Sequence, residues 1–546
     1  MSLMGSFWVG VSGLQTSNNA LNTTAHNMSN LDTTGYTRQQ VAQGTRSYAT
    51  IYKGRPNWQQ IGRGVNYTLT RQERDVFLDK NYRRESGRSA FYDVSAGALE
   101  EIEYIMGETY DNEGNEFSEA LSNLWEAIQE LSKDPTSAVN QNLFVTRSYE
   151  FITRASAVYT SLAQYQDNLN QSVIGDVNKI NSYAQEIEEL NRKIVAIEAG
   201  QEHANDLRDR RNYLLDEMAK MASISVSEDI TGYVSVRLED VDLVKGGLVN
   251  KIELYVDPRT GFYTPYWKTL ADHSYDEDGN PVVTEEGIQR ALVFDLTRTV
   301  SSDLNTDIGS LKSMLLARGD HRATYKDLQN INRDGEYEEN WYDRNISQSV
   351  IMNIQAEFDQ LINAVVTKIN GILAEEADRV DPDGESDYLR DENGDPYQLF
   401  KLLNVNGDWT VSNLTINQQL RQNPALLRFR KDEHSEDYPI IDKLRDAFEE
   451  KIYTLNPNVQ TPLCFRDYYT NLVAQIANSG SVMRGVQVTQ TIATDSLFNA
   501  REQVVGVSSD EELTNMIRYQ NAYNASSRYI NVISEMLEHI LTTLGR

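Results

Sequence analysis

The first thirty residues carry an apolar row that steps by four, three, four and three positions. Its members are Phe7, Val11, Leu14, Leu21, Ala25 and Met28, with Asn18 at the one polar place. Such steps draw a heptad seam along one helix face. They predict a helix of about 25 residues, roughly 37 Å long at the usual rise per residue. The faces between are Ser, Asn, Thr and Gln, nearly without charge. Asn-Leu-Asp-Thr-Thr-Gly at 30–35 ends the helix, and Gly35 supplies the backbone freedom of the turn. The other end of the chain mirrors this. Met516, Tyr519, Tyr523, Ser526, Ile530, Ile533, Leu537, Ile540 and Leu544 repeat the heptad step, and only Ser526 is polar. Ser508-Ser509-Asp510-Glu511-Glu512 precedes them, and a Ser cap followed by acids favours a helix start there.

Between the ends lie further long patterns. Leu162, Tyr165, Leu169, Val173, Val177, Ile180, Ala184, Ile187, Leu190, Ile194 and Ile197 keep a period of 3.5. Ile351, Ile354, Phe358, Leu361, Val365, Ile369 and Ile372 form another row, and Tyr469 to Val504 a third. These predict a bundle of long helices, partly coiled coil. The middle changes to alternation: Ser223 to Ser227, Tyr233 to Leu238 and Lys251 to Val256, with Thr231-Gly232 and Thr260-Gly261 at turn positions. Gln59-Gln-Ile and Val65 to Leu69 look extended, and Val405 to Val411 reads as a hairpin.

The expected fold class is therefore α+β and multidomain. A long-helix bundle is built from both chain ends, with β-rich outer domains inserted. Residues 1–35 form an N-terminal core helix and 36–222 a helical domain with an extended segment at 36–75. A β-rich domain follows at 223–346. Residues 347–376 and 465–509 return to the bundle around a variable insertion at 377–464, and 510–546 form the C-terminal core helix.

Composition narrows the function. Among 546 residues, 51 basic against 81 acidic side chains leave a net charge of −30, and mean hydropathy is −0.54. No apolar run approaches the roughly 18 residues of a membrane span. The acidity argues against nucleic-acid binding, whose footprint is a basic patch. The single Cys464 closes no disulfide within the chain and reads as a small buried hydrophobe. Met1 to Gly13 has no basic region and no contiguous apolar run, so no Sec signal peptide is expected.

Catalytic patterns are absent: no G-x-x-x-x-G-K-[ST], G-x-S-x-G or H-E-x-x-H. The six histidines, including His26 beside the seam, form no local ligand pair. Neither a cofactor nor a catalytic or metal site is expected. Asp111 to Asn115, Asp276 to Asn280, Asp381 to Glu385 and Asp391 to Asp395 resemble the first half of a calcium loop. The closing bidentate Glu is not cleanly present, since Glu285 and Glu286 fall at offsets that fit poorly. Tight turns are the preferred reading over calcium. The apolar terminal rows allow either assembly with other subunits or a plain intramolecular bundle. Burying six such side chains gives roughly 10–15 kcal/mol gross.

Certain residues carry a resemblance. Gly13-Leu14-Gln15, Ala20-Leu21-Asn22, Ala25-His26-Asn27, Ser29-Asn30 and Thr33-Thr34-Gly35-Tyr36-Thr37-Arg38-Gln39 are similar to the N-terminal signature of bacterial flagellar axial proteins, the rod, hook and hook-associated proteins. Glu511-Glu512-Leu513, Ile517 to Tyr523, Ala525-Ser526, Arg528 and Ile533 resemble the matching C-terminal signature. Tyr36 to Gln39, Asn205 to Asn212, Leu214 to Glu217, Leu243 to Gly246, and Gly309-Ser310-Leu311 with Arg318 look more like the hook-associated branch than the hook protein. These blocks cover about a third of the chain, and 250–300 and 377–464 stay unmatched.

The resemblance implies a non-enzymatic structural subunit of the extracellular flagellum, at the junction of hook and filament; the hook protein itself is the alternative. It implies type III export without a cleaved signal. Implied partners are further copies in a ring, the hook protein, a second junction protein, and a cytosolic export chaperone on the helix from Leu513 to Leu544. It marks Asn27, Asn30, Thr34, Gly35, Tyr36 and Arg38 as family motif residues, and it places both terminal seams in the assembly. The large acidic middle is a departure that would keep the outer surface soluble.

Overall fold

The computed structural model describes residues 3–54, 57–107, 117–200, 202–275, 281–380, 388–391, 394–427, 429–432, 435–436 and 438–544. Along the chain run α1 (Leu3–Ser29), β1 (Gln39–Thr45), β2 (Ala49–Gly54), β3 (Asn57–Ile61), β4 (Val65–Gln72), α2 (Val76–Met106), α3 (Phe117–Leu131), α4 (Ala138–Glu198) and α5 (Asn205–Met221). Strands β5 (Ile224–Glu228), β6 (Val234–Leu238), β7 (Val241–Lys245), β8 (Leu248–Val249), β9 (Ile252–Val256) and β10 (Tyr263–Trp267) follow. Further on lie the short helices α6 (Glu285–Arg290), α7 (Ser310–Arg318) and α8 (Tyr325–Leu328), then α9 (Val350–Val380). Strands β11 (Phe400–Leu402) and β12 (Leu414–Ile416) precede α10 (Tyr438–Glu449), α11 (Phe465–Val505) and α12 (Ser509–Leu544). Long terminal helices with inserted small sheets are the expected fold class.

The chain divides into two compact units. One holds Met1–Ser89, Asn178–Lys251 and Gln490–Arg546; the other holds Ala90–Val177 and Ile252–Thr489. The expected β-rich stretch at 223–346 is thus shared, β5 to β8 in the first unit and β9 and β10 in the second.

In the first unit β1 pairs antiparallel with β4, from Gln39↔Gln72 to Thr45↔Val65, with a bulge at Ala42/Gln43. Strands β5 to β8 form an antiparallel sheet in sequential order. Val234, Val236 and Leu238 are buried, as strand alternation requires. Asn191 on α4 ties that sheet down: its Nδ2 donates to Val234 O at 2.8 Å and its Oδ1 accepts from Val234 N at 3.2 Å. Arg211 of α5 is buried and donates from Nη1 to Asn191 Oδ1 at 3.0 Å and to Gly232 O at 2.7 Å. Burial pulls its guanidinium down to about 10.

The second unit has an aromatic centre. Phe117 meets Phe358 at 5.0 Å and Tyr469 at 4.9 Å between ring centroids. Every member of the α9 row, Ile351 to Ile372, is buried there. Arg318 is also buried, with its guanidinium 4.8 Å over Phe262 and Nη1 donating to Tyr263 O at 2.9 Å.

Three details differ from, or add to, the sequence reading. Residues 405–411 are the loop of a hairpin whose strands are β11 and β12, because the paired residues are Phe400↔Ile416 to Leu402↔Leu414. Cys464 is only half-buried and free. Three of the calcium-like stretches, 111–115, 276–280 and 381–385, lie outside the described residues, as do Glu392 and Asn393 of the fourth. The described part of the fourth is a turn: Gly394 has φ +83°, and Asp395 N donates to Asp391 Oδ1 at 3.0 Å. Among the described residues no cluster of three metal-ligating side chains occurs, and no helix is long and apolar enough to cross a membrane.

Candidate assembly site

Helices α1 and α12 lie antiparallel against each other. Gly10 faces Ile530 and Tyr529, and Gly13 faces Ser526. A Cβ on Gly10 would sit 2.8 Å from Ile530 Cγ1, closer than carbon atoms can approach. The contact is therefore small against large. The α1 row turned inward is Ser6, Gly10, Ser17, Ala20, Thr24 and Asn27, all buried, with Gly13 between them. On another side of α1, Ser12 is buried by the β1–β4 hairpin, and its Oγ accepts from Val65 N at 3.3 Å.

The expected N-terminal seam is not the row that packs inside the chain. Phe7, Val11, Leu14, Leu21 and Met28 are only half-buried and Ala25 is exposed. The row used inside the chain is offset by one residue. Small side chains let α12 approach closely, so large apolar groups on α1 are not what fills the contact. On α12 the expected row is the one that turns inward: Ile533 is buried, and Met516, Tyr519, Tyr523, Ile530 and Leu537 are half-buried. Leu513 and Ile540 are exposed, and the side chain of Leu544 lies outside the described residues.

The motif residues meet at the C-terminal end of α1. Asn27 is buried. Its Oδ1 accepts from Gln39 N at 3.0 Å and Tyr36 OH at 2.8 Å, and its Nδ2 donates to Gln39 O at 2.9 Å. These bonds close the loop 30–38 onto the helix. Burial, with Asp206, Asp209 and Glu512 nearby, raises the Tyr36 phenol well above its ordinary value. Asn30 Nδ2 donates to His26 O at 3.0 Å. Gly35 has φ +80° and lies against Tyr213, while Thr34 is exposed. His26 is exposed, edge-on to Tyr36 and 3.5 Å from Asp206.

Arg38 bridges this loop to the start of α12. It pairs with Glu511 at 2.8 Å and Glu512 at 2.9 Å, and its backbone N donates to Val505 O. Glu512 is buried by the arrangement. The α5 block supports the loop from the other side. Asp209 accepts from Thr37 N at 3.1 Å and Gln72 Nε2 at 2.7 Å, and burial pushes its carboxyl up to about 6. Loop and block enclose a groove of about 570 Å³ that includes Asn30, Thr34, Tyr36, Asp206, Asp209 and Tyr213.

Sequence reasoning missed the ion network beneath. Asp216 of α5 binds Arg83 of α2 and Arg501 of α11, both at 2.7 Å, and Arg74 binds Asp79 at 2.9 Å. Arg501 also lies 4.0 Å over the Tyr82 ring. Local spacing could not reveal the two partners of Asp216, which lie 133 and 285 positions away.

Comparison with known proteins identifies the family. The family model for the flagellar hook-associated protein FlgK helical domain matches residues 99–384. The flagella basal body rod protein model matches 7–37, and the flagellar basal body rod FlgEFG C-terminal model matches 503–543. Flagellar hook-associated protein 1 of Bacillus subtilis is 26 % identical, over 96 % of this chain and 95 % of that protein. Its counterpart in Salmonella typhimurium is 21 % identical over 97 % and 98 %. A solved structure, the flagellar hook junction protein FlgK from Burkholderia pseudomallei, aligns with TM-score 0.54 at 10 % identity, covering 79 % of this chain and all of that one. The two ends alone would suit the hook protein as well; the helical domain between them, matched over half of the chain, decides. This chain belongs to the flagellar hook-associated protein FlgK family.

Proposed function

We propose that this chain is a structural subunit at the junction between flagellar hook and filament, and that its paired terminal helices are the assembling part. One observation carries the reading. After α12 and the hairpin have taken their sides of α1, Phe7, Val11, Leu14, Leu21 and Met28 remain half-exposed, next to the exposed Trp8. Completing the burial of five such side chains on neighbouring subunits would contribute about 5 kcal/mol gross per chain. The role needs no reaction.

Finer expectations follow from family membership. Copies close into a ring, with the hook protein below and a second junction protein above. The exposed apolar side chains of α12, among them Ile517, Val532, Met536 and Leu541, form the face that an export chaperone would shield in a hydrophobic groove. Export proceeds unfolded, and the subunit works outside the cell.

Co-sedimentation of the full chain with purified hooks stripped of filament tests the role. Saturable pelleting at a fixed number of chains per hook is expected. Failure to pellet at any concentration contradicts it.

A further inference from the structure

We propose that the outer edge of strand β5 takes an extended acidic segment of a partner protein as an added strand. Among the described residues strand β5, the first of the four in its sheet, pairs only with β6. In an antiparallel pair, opposite residues alternate between those that exchange backbone bonds and those that do not. Glu239 N donates to Ser223 O, and Asp229 N donates to Tyr233 O, each at 3.0 Å. The register between them, Ile224↔Leu238 to Glu228↔Val234, has no shift. The odd-numbered residues therefore bond to β6. The N–H and C=O groups of Ile224, Val226 and Glu228 point away from the sheet.

An unpaired edge is a template for another strand, and proteins usually blunt it with Lys, Pro, a bulge or a covering element. Here the strand reads Ile-Ser-Val-Ser-Glu and is regular. Beside it runs a groove of about 460 Å³, between β5, the start of α2 and β4. Ile224, Val226 and the exposed Val76 give it apolar surface.

Charge selects the occupant. Arg74, Arg83 and Arg208 line the groove but are held by Asp79, Asp216 and the Glu198/Glu228 pair. Among the described residues Arg71 bonds only the neutral Gln40, and Lys80 has no carboxylate partner. In a chain of net charge −30, two unopposed cations beside a strand edge favour a segment that alternates acidic and apolar residues. Backbone bonds would give affinity and the alternate side chains specificity.

The test uses the full chain and a fluorescein-labelled peptide, acetyl-EVEVEVE-amide, read by fluorescence anisotropy at low salt. Saturable binding is expected, with at least about tenfold weaker binding of the KVKVKVK analogue, since like charges across an interface repel. N-methylation of alternate peptide amides should abolish binding. Val226→Pro removes an N–H that faces outward and costs no bond to β6, so the sheet should survive. That variant should bind at least about tenfold more weakly. Lys80→Glu should weaken binding while leaving circular dichroism unchanged, and it carries the test if Val226→Pro does not fold. No saturable binding up to millimolar peptide overturns the proposal. So does equal binding of the acidic and basic peptides, or wild-type affinity in the folded variants. None of these outcomes touches the junction reading, which rests on hook binding.

Discussion

Replacing Asn27 by Ala isolates the device that closes the motif loop. The side chain makes three hydrogen bonds of 2.8, 2.9 and 3.0 Å, all to groups of the 36–39 segment. Asn27 is 1 % exposed, so water cannot replace it in place. Each bond contributes a net 0.5–1.5 kcal/mol, and three sum to about 3 kcal/mol. The variant should therefore open the loop more easily by that amount. Read as hydrogen exchange of the peptide spanning 36–45, this is roughly a hundredfold loss of protection at Gln39, since 1.4 kcal/mol corresponds to about tenfold. Asn27→Asp keeps both acceptor bonds but loses the donor to Gln39 O, so it should fall between wild type and Ala. Protection at Gln39 within about threefold of wild type in the Ala variant would refute the assignment.

Other consequences are separable. Gly10→Leu should destabilise the α1–α12 pair by about 1–3 kcal/mol through overpacking against Ile530. Gly13→Ala should be near neutral, because a Cβ there meets only the rotatable Ser526 hydroxyl at 2.8 Å and the helix propensity gain offsets it; urea unfolding of the two variants checks the contrast. Burial alone would lower His321, but hydrogen bonds to Asp320 and Asp327 outweigh it and raise the ring to about 9. Its contribution, about 3 kcal/mol, should be present below the unfolded value near 6.5 and be lost as pH rises through 9. His321→Gln should flatten the stability profile of the second unit in that window. Burial raises Glu357 to about 7, against lowering bonds from Asn456, Gln475 and Asn353. The folded state then binds the extra proton between about 4.3 and 7, so stability grows as pH falls through 7. Glu357→Gln should raise the urea midpoint at pH 8 and remove that slope; an unchanged slope would contradict the assignment.

How much was legible depends on where an apolar row is used. The rows of α4 and α9 were read correctly because their large residues, Leu162, Ile180 and Ile187 or Phe358 and Val365, are buried within the chain. The α1 row has the same spacing, yet its neighbour packs on Gly10 and Gly13 instead. Periodicity finds a face but not the partner's size, and small residues admit a closer helix. Motif residues were visible as words. Their work was not, because Asn27 acts on Gln39 through a loop, and Arg38 on Glu512 from the far end of the chain. The strand edge at β5 was within reach as an alternating segment, but its free side follows only from the sheet order.

We propose that neighbouring subunits fill the apolar row of α1. This is tested most directly by hook co-sedimentation of Leu14→Asp and Leu21→Asp beside Leu304→Asp, a control at an exposed position of the second unit. The α1 positions are only half-buried in the single chain, so the variants should keep the wild-type helix content. Wild-type pelleting is expected for the control and at least about tenfold weaker pelleting for both α1 variants, since a charge would have to enter an apolar contact. Pelleting of the folded α1 variants with wild-type affinity would contradict it.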